Sequence, residues 1–321
     1  MDIHELRLTA GGDALVTVYS PVVVDGTPVL DALIQRIDIP TGLVMWEWHA
    51  LGHVPLKESY ATPANSAAFD AFHINSVYPM GGGRLLVSAR DTAAIYAVDA
   101  TTGKIAWTLG GKASTFKMGP GARFWLQHDA RPLPGDRVSL FDDEAGPPQK
   151  AAASRGLILK LNHKRHTATV ERSLTRVPDT SAQSEGSTQL LRDGSVFVGF
   201  GAEGAMTQFS PAGKVTFDAE MPDGDGSYRT IRAPWRGTPA TRPAVVARRT
   251  DPAHVAVTVS WNGATEVARW RVLAGGAAVA TVPRSGFETT ATVASAGTTF
   301  TVRALDAHGH VLATSAPVTA A

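Results

Sequence analysis

Short runs of alternating hydrophobic and polar residues recur along the first three-quarters of the chain. The four clearest runs occupy residues 14–19, 84–89, 138–141 and 195–200. Each follows a turn signal such as Pro134-Gly135-Asp136. Alternation with a period of two is the pattern of a half-buried β-strand, and Gly, Pro and Asp favour the tight turns between strands. The pattern therefore predicts strands joined by short turns.

These runs belong to a larger repeat. They begin near residues 13, 84, 137 and 195, so that they are roughly 50–70 residues apart. A second strand candidate follows each run, as at residues 96–99, and an outer strand such as 105–107 comes after a Gly-containing turn. Four strands per repeat at this period are typical of a β-propeller. About four blades can be recognised.

The pattern changes near residue 237. Residues 238–243, rich in Pro and Thr, read as a linker. Seven short strand candidates follow, at roughly 244–248, 255–260, 267–274, 277–282, 288–293, 298–304 and 311–318. A spacing near ten residues favours a small β-sandwich, and this half resembles a fibronectin type III domain. We therefore predict an all-β protein with two domains, a propeller over 1–237 and a β-sandwich over 238–321.

Composition excludes several classes of function. The chain has no cysteine, which rules out disulfides, thiolate metal sites and a cysteine nucleophile. Its 30 Lys+Arg balance 29 Asp+Glu, which gives no case for a nucleic-acid partner. No apolar run is long enough for a membrane span, and the first residues carry no signal-peptide pattern. No phosphate-binding loop or persuasive metal site is visible, so we expect no cofactor and no metal.

Two of the ten histidines stand out by position. His73 and His128 each lie about ten residues before the strand run of their repeat, where the innermost strand of a blade would line the central channel. With a period of two, His73 and Asn75 would share one face of that strand. A buried histidine bonded to a carbonyl group is the alternative interpretation for both.

The same region resembles a known family. The strings that carry the resemblance are His73-Ile74-Asn75-Ser76-Val77, Leu86-Val87-Ser88-Ala89-Arg90, Trp107-Thr108-Leu109-Gly110-Gly111-Lys112, Gln127-His128-Asp129-Ala130-Arg131, Ser154-Arg155-Gly156-Leu157 and Tyr228-Arg229. In this order they are similar to the bacterial arylsulfate sulfotransferases (ASST), particularly the actinobacterial branch, over residues 2–236. The resemblance implies a six-bladed propeller that moves a sulfuryl group from an aryl sulfate to a phenol through a sulfated histidine, without a nucleotide donor. It also implies an extracellular or cell-envelope location, and a chain whose start is truncated or misassigned.

The chemistry of that reaction gives the candidate residues roles. A neutral imidazole is a competent nucleophile, and a second histidine can act as acid and base, so His73 and His128 are the catalytic candidates. Arg90 and Arg155 would hold the sulfuryl oxygens, since a guanidinium binds two oxygens at once. Asn75 and Gln127 would supply neutral donors to the substrate. The alternatives are an ion pair of Arg90 with Asp91 or Asp142, and a surface position for Arg155.

One departure from the family keeps a second function open. We expect a further channel histidine in a late blade, but no histidine lies between His166 and His254, and the late segment 183–189 reads QSEGSTQ. Either His73 or His128 takes the nucleophile's place, or the protein is a non-catalytic binding or scaffold protein of the cell surface. In that case the C-terminal domain would contact a glycan or protein partner.

Overall fold

The computed structural model describes residues 2–63, 67–146 and 148–321. It divides into two compact units, Met1–Arg232 and Ala233–Ala321, with the boundary a few residues before the one expected from the sequence. Apart from two short 3₁₀ turns, Leu56–Glu58 and Gly201–Glu203, the regular structure of the described residues is β-strand. The all-β prediction is confirmed, and no helix in these ranges is long and apolar enough to cross a membrane.

The first unit contains four sheets. The first sheet has β1 (Leu6–Leu8), β2 (Asp13–Val24), β3 (Thr27–Asp38) and β4 (Val44–His49), with β5 (Phe69–Asp70) parallel to β3. The second has β6 (Ile74–Met80), β7 (Arg84–Ala89), β8 (Ala94–Asp99) and β9 (Ile105–Gly110). The third has β10 (Lys117–Met118), β11 (His128–Leu133), β12 (Arg137–Asp142), β13 (Arg155–Asn162) and β14 (Thr167–Leu174). The fourth has β15 (Ser187–Leu190), β16 (Val196–Gly199), β17 (Ala205–Phe209) and β18 (Val215–Glu220).

Each sheet has the strand order of a propeller blade. In the second and fourth sheets four consecutive strands pair antiparallel with their neighbours in the chain, and the first and third sheets add one short parallel strand. The four runs of alternation fall on β2, β7, β12 and β16, and each of these is the second strand of the four that pair antiparallel in its sheet. The propeller prediction is therefore confirmed, with four blades in the described part of this unit.

Hydrophobic cores form between consecutive sheets because side chains alternate across each strand. On β7, Leu85 and Val87 enter the core shared with the first sheet, whereas Leu86 enters the core shared with the third. On β12, Leu140 faces the second sheet and Phe141 faces the fourth. Each central blade is therefore buried on both faces.

The antiparallel order brings particular chain positions to one edge of each blade. In the second sheet the start of β6 pairs with the end of β7, and the start of β8 pairs with the end of β9. In the third and fourth sheets, likewise, the start of β11 pairs with the end of β12 and the start of β15 pairs with the end of β16. We call this the site edge. It carries His73, Arg90, His128 and Arg155, because each lies at or next to a strand end there.

The second unit contains two sheets. One has the order β19 (Ala244–Asp251), β20 (His254–Ser260) and β23 (Glu288–Ala294). The other has the order β22 (Ala277–Pro283), β21 (Arg269–Ala274), β24 (Thr299–Leu305) and β25 (Val311–Thr314), with β26 (Val318–Thr319) also on β24. Residues of both sheets, among them Trp270, Val257 and Phe300, form one core. The unit is therefore built as a small sandwich.

Candidate active site

Aromatic rings from distant parts of the first unit meet near the site edge. The ring of His4 lies 4.9 Å from that of His73 and 5.6 Å from that of Tyr228, measured between centroids. Tyr19 lies 6.3 Å from His73, and His128 lies 6.4 Å from Tyr228. A continuous series of ring contacts thus joins the two predicted histidines, with His4 and Tyr228 between them.

His73 lies just before β6 rather than on it. Its backbone is left-handed, with φ of 57°, because its N–H and its Nδ1 both contact the carboxylate of Asp70 in a tight turn, at 3.0 and 2.6 Å. The prediction that His73 and Asn75 share one face of a strand is therefore wrong, since the strand begins only at Ile74 and its register shifts between Ile74 and Ser76. The His73 side chain keeps 27% of its surface exposed.

The surroundings of His73 favour its charged form. Burial lowers the pKa of His73, but the hydrogen bond and charge of Asp70, together with the charge of Asp91, outweigh it and raise the pKa above the ordinary 6.5. If the Nδ1 proton is donated to Asp70, the Nε2 atom carries the lone pair of the neutral ring. His73 is therefore an accessible imidazole with one nitrogen anchored.

His128 is held much more tightly. Its side chain is 3% exposed, Nδ1 contacts Asp143 Oδ2 at 2.9 Å, and Nε2 accepts the N–H of Glu185 at 3.3 Å. Since Nε2 is an acceptor, Nδ1 carries the proton and donates it to Asp143. Burial, followed by the positive charge of Arg90, puts the pKa of His128 well below 6.5. His128 is therefore a neutral histidine with both nitrogens engaged.

Arg90 lies at the site edge, directly after β7. Its backbone N–H donates to the carbonyl of His73 at 2.9 Å, and its Nη1 donates to Asp91 at 2.8 Å. Its positive charge lowers the pKa of both histidines. The structure thus contains the ion pair with Asp91, and a contact of Arg90 with substrate stays a prediction.

Arg155 has different partners. Its guanidinium contacts Asp142, Glu144 and the carbonyl of Arg123. Burial of Asp142 and the charge of Glu144 raise the pKa of Asp142 to about 8, and Arg155 opposes this shift. In the described residues, the contacts of Arg155 do not extend to His73 or His128. Its predicted catalytic role therefore has no support from a contact and stays a prediction.

Asn75 and Gln127 are fully buried. The Nδ2 of Asn75 donates to the carbonyl of Gln127 at 2.7 Å. The Nε2 of Gln127 donates to the carbonyls of Ala89 and Ala94 and to Ser88. Both amides therefore join the second and third blades behind the histidines, and a direct contact with substrate stays a prediction.

Sequence reasoning missed several residues of this site. His4, Tyr19 and Tyr228 contribute rings, and Asp70 and Asp143 each bind one catalytic candidate. The late segment does reach the site, although through the Glu185 N–H and not through a histidine. Of these residues, only Asp70 could have been recognised from the local sequence. It lies three residues before His73, and a carboxylate at that spacing caps a turn.

A buried ion network ties the end of this unit to its start. Arg229 contacts Glu5 at 3.0 Å, Asp129 at 3.1 Å and the carbonyl of Asn75 at 2.7 Å. The neighbouring Tyr228 hydroxyl also donates to the Asn75 carbonyl. The segment after β18 is thereby fixed against the first, second and third blades, which positions the Tyr228 ring between the histidines.

One group of side chains could hold a cation. Ligand atoms of Asp70, His73 and Asp91 lie within 4.8 Å of one another. Oxygen and imidazole ligands of this kind suit a divalent metal. The Arg90 guanidinium already neutralises Asp91 there, however, and Asp70 is bonded to His73. The expectation of a metal-free site stays a prediction.

Solved structures with some similarity to the chain share little sequence with it. A hydrazine synthase from Kuenenia stuttgartiensis is 12% identical with a TM-score of 0.37, over 96% of this chain and 63% of that one. A quinohemoprotein alcohol dehydrogenase from Comamonas testosteroni is 14% identical with a TM-score of 0.32, over 96% and 48%. A virginiamycin B lyase from Staphylococcus aureus is 10% identical with a TM-score of 0.32, over 95% and 88%. At these values the similarity says nothing about activity, and this chain spans about half the length of the alcohol dehydrogenase.

Sequence comparison is more informative. No curated protein matches the chain in sequence. The family model of the arylsulfotransferases, however, matches residues 1–221, which include His4, His73, Arg90, His128 and Arg155 but end before Tyr228. The match covers more than two thirds of the 321 residues. The chain therefore belongs to the arylsulfotransferase (ASST) family.

Proposed function

We propose that the protein transfers a sulfuryl group from an aryl sulfate to a phenol, with His73 as the sulfated residue. The contact between His73 Nδ1 and Asp70 carries this proposal, because it anchors one nitrogen and, in the neutral ring, leaves a lone pair on Nε2 of a partly exposed side chain. His128 is less suited to attack, since it is buried and both of its nitrogens are engaged. Family membership supports the reaction class.

The transfer runs in two displacements. In the first, His73 Nε2 forms a bond to sulfur, the bond from sulfur to the aryl oxygen breaks, and the electron pair leaves with the phenoxide. The phenoxide takes a proton from His4, whose ring lies 4.9 Å from that of His73. In the second, the acceptor phenol gives its proton to His4, its oxygen bonds to sulfur, and the N–S bond breaks. The histidine is restored.

Charge stabilisation would come from Arg90. A transferring sulfuryl group spreads negative charge over its oxygens, and a guanidinium can bind two of them. In the described residues, the side-chain hydrogen bonds of Arg90 go only to Asp91, through Nη1. The buried pair of His128 and Asp143 would hold Glu185 and the late segment in place beside the rings.

Release of nitrophenol from nitrophenyl sulfate, measured with and without added phenol, tests the proposal. We expect acceptor-dependent release that falls by at least about 100-fold in His73→Ala. His308→Ala is the matched control, because His308 lies in the second unit. Mass spectrometry of the protein quenched during turnover should find one sulfuryl group on the peptide that contains His73.

Two results would contradict it. A sulfuryl group on His128 or His4 would show that this residue, and not His73, is the nucleophile. No release from folded protein would favour a non-catalytic binding or scaffold protein, in which case the second unit becomes the first place to look for a glycan or protein partner.

We also propose that the second unit is a fibronectin type III-like domain and that the protein works outside the cytoplasm. The strand orders β19-β20-β23 and β22-β21-β24-β25 support the first point, since they match a seven-stranded sandwich. The absence of cysteine permits either compartment, so the second point rests on the family. Fractionation of cells that make the native protein, with an antibody as the probe, would decide the location.

A further inference from the structure

A pocket of about 310 Å³ lies at the site edge between the second and third blades. Tyr60, Phe124 and Trp125 supply aromatic rings to its wall, and Arg123 and Lys150 supply positive charge. This volume lies at the lower end of the range of small-molecule sites, which is about 300–1,000 Å³. The pocket contains neither His73 nor His128, and the proposed reaction does not use it.

The aromatic walls are fixed by the backbone. The Tyr60 N–H donates to the Asp91 carbonyl at 2.7 Å, and the Trp125 N–H donates to the Asp142 carboxylate at 2.8 Å. The two rings meet nearly edge to face, with centroids 4.6 Å apart and planes at 70°. Tyr60 is 40% exposed, whereas Trp125 is 8% exposed. One ring is thus a buried wall and the other is available from solvent.

Gly110 makes room for Phe124, and Gly111 makes room for the backbone of Thr92. Gly110 and Gly111 both have positive φ, of 81° and 64°. A Cβ at Gly110 would lie 2.5 Å from the Phe124 ring and 2.8 Å from the Ala93 carbonyl. The pocket floor therefore depends on the Gly-Gly pair that closes β9.

Lysines lie over both rings. Lys112 Nζ is 4.6 Å from the Tyr60 ring and is held there by the carbonyls of Lys57 and Ser59. Lys150 Nζ is 4.6 Å from the Trp125 ring, and the Lys150 N–H donates to the Glu144 carbonyl.

Two carboxylates lie near these lysines. Glu144 lines the pocket, but Arg155 pairs with it at 3.2 Å. Burial raises the pKa of Glu58, which is close to Lys112. The lining therefore keeps a positive balance, with Arg123 and Lys150 against a single neutralised carboxylate.

We propose that this pocket binds an aromatic anion, that is, a planar ring carrying a sulfate, sulfonate or carboxylate. The exposed Tyr60 ring offers an aromatic contact, the buried Trp125 ring backs it, and Arg123 and Lys150 in the lining would bind the anionic group. The lysines over the two rings disfavour an aromatic cation, because their positive charges already occupy the faces that would attract it. An aliphatic anion would gain the charge contact without the aromatic contact.

Binding at equilibrium tests this pocket separately from turnover. The probes are benzenesulfonate, benzoate, methanesulfonate and benzyltrimethylammonium, each titrated calorimetrically into the full chain. We expect benzenesulfonate and benzoate to bind, methanesulfonate to bind at least about 10-fold more weakly, and the cation not to bind. Equal affinity for benzenesulfonate and methanesulfonate, or no binding of either aromatic anion, would overturn the proposal.

Variants locate the binding. Tyr60→Leu and Trp125→Leu should each weaken benzenesulfonate by about 2- to 10-fold, the range of a single aromatic contact. Lys150→Gln should weaken it and also flatten its dependence on salt. Trp235→Leu is the matched control, because Trp235 is 78% exposed and lies in the second unit. Trp125 is buried, so Trp125→Leu can fail to fold. In that case the affinity of Tyr60→Leu for benzenesulfonate tests the proposal, because Tyr60 is exposed.

One further variant separates the two proposals. His73→Ala should abolish nitrophenol release and leave the affinity for benzenesulfonate unchanged. Loss of benzenesulfonate binding in His73→Ala, with Tyr60→Leu unaffected, would place the aromatic anion among the histidines and refute the separate pocket.

Discussion

Removal of Arg229 should destabilise the first unit by a predictable amount. Its guanidinium contacts Glu5 and Asp129, whose side chains are each about 1% exposed. Loss of one partner from a buried ion pair typically costs about 3–5 kcal/mol, because a charge is left without compensation. Here Arg131 still contacts Asp129 at 2.7 Å, and Arg7 lies 3.4 Å from Glu5.

This residual compensation puts Arg229→Ala near the lower limit, at about 3 kcal/mol. For a unit of this size, the midpoint of its thermal transition should fall by roughly 6–12 °C. Calorimetry of the full chain gives the transition, and hydrogen exchange of peptides from residues 2–63 assigns it to the first unit.

A double-mutant cycle checks the cause. Glu5→Gln removes the charge that Arg229 compensates, so the double variant should be less destabilised than the sum of the two single variants. Additive effects, or a loss below about 1 kcal/mol in Arg229→Ala, would refute the view that Arg229 and Glu5 form an energetically coupled buried ion pair.

Three further predictions concern the site edge. The carboxylate of Asp70 raises the pKa of His73, and attack needs the neutral ring. The acid limb of the pH–rate profile should therefore lie above pH 6.5 in the native protein and move to lower pH in Asp70→Asn. An acid limb that does not move would exclude His73 as the titrating group. Gly110→Ala should lower the free energy of unfolding in urea by about 1–3 kcal/mol more than Gly213→Ala. Both glycines have φ of 81°, but only a Cβ added at Gly110 would meet other atoms within 4 Å. Equal losses in the two variants would show that the Phe124 contact is absent. Arg90→Lys should lower kcat by about 10-fold or more because an ammonium lacks the two-pronged donor geometry, and an unchanged kcat would remove Arg90 from the reaction.

Much of the fold could be predicted from the sequence because the information is local. Alternation over residues 84–89 defines β7 to the residue, and a Pro-Gly-Asp turn correctly precedes β12. The position of His73 was missed by one residue for an equally local reason: the Asp70 carboxylate binds the His73 N–H and holds its backbone left-handed, so the strand starts late. A pattern of hydrophobic and polar residues does not reveal a side chain that caps a turn in this way.

The set of rings beside His73 and His128, which His4, Tyr19 and Tyr228 contribute, was not predictable in the same way. His4 and Tyr228 are 224 positions apart in the sequence, and they meet only because the segment after β18 returns to the start of the chain through Arg229. No periodicity links such positions. By contrast, the placement of His73 and His128 at one edge could be predicted because the repeat itself brings the start of β6, which His73 precedes, and the start of β11 to that edge.

The two-faced burial of the central blades has a consequence for how this unit tolerates change. Neighbouring residues on one strand belong to different cores, since Leu86 packs toward the third sheet and Val87 toward the first. Odd and even positions of β7 therefore vary under separate constraints, each set by residues on a different blade. A compensating substitution for a change at Leu86 should be found across the gap on β12 or β13, and a relative with altered packing in one gap can leave the other gap unchanged.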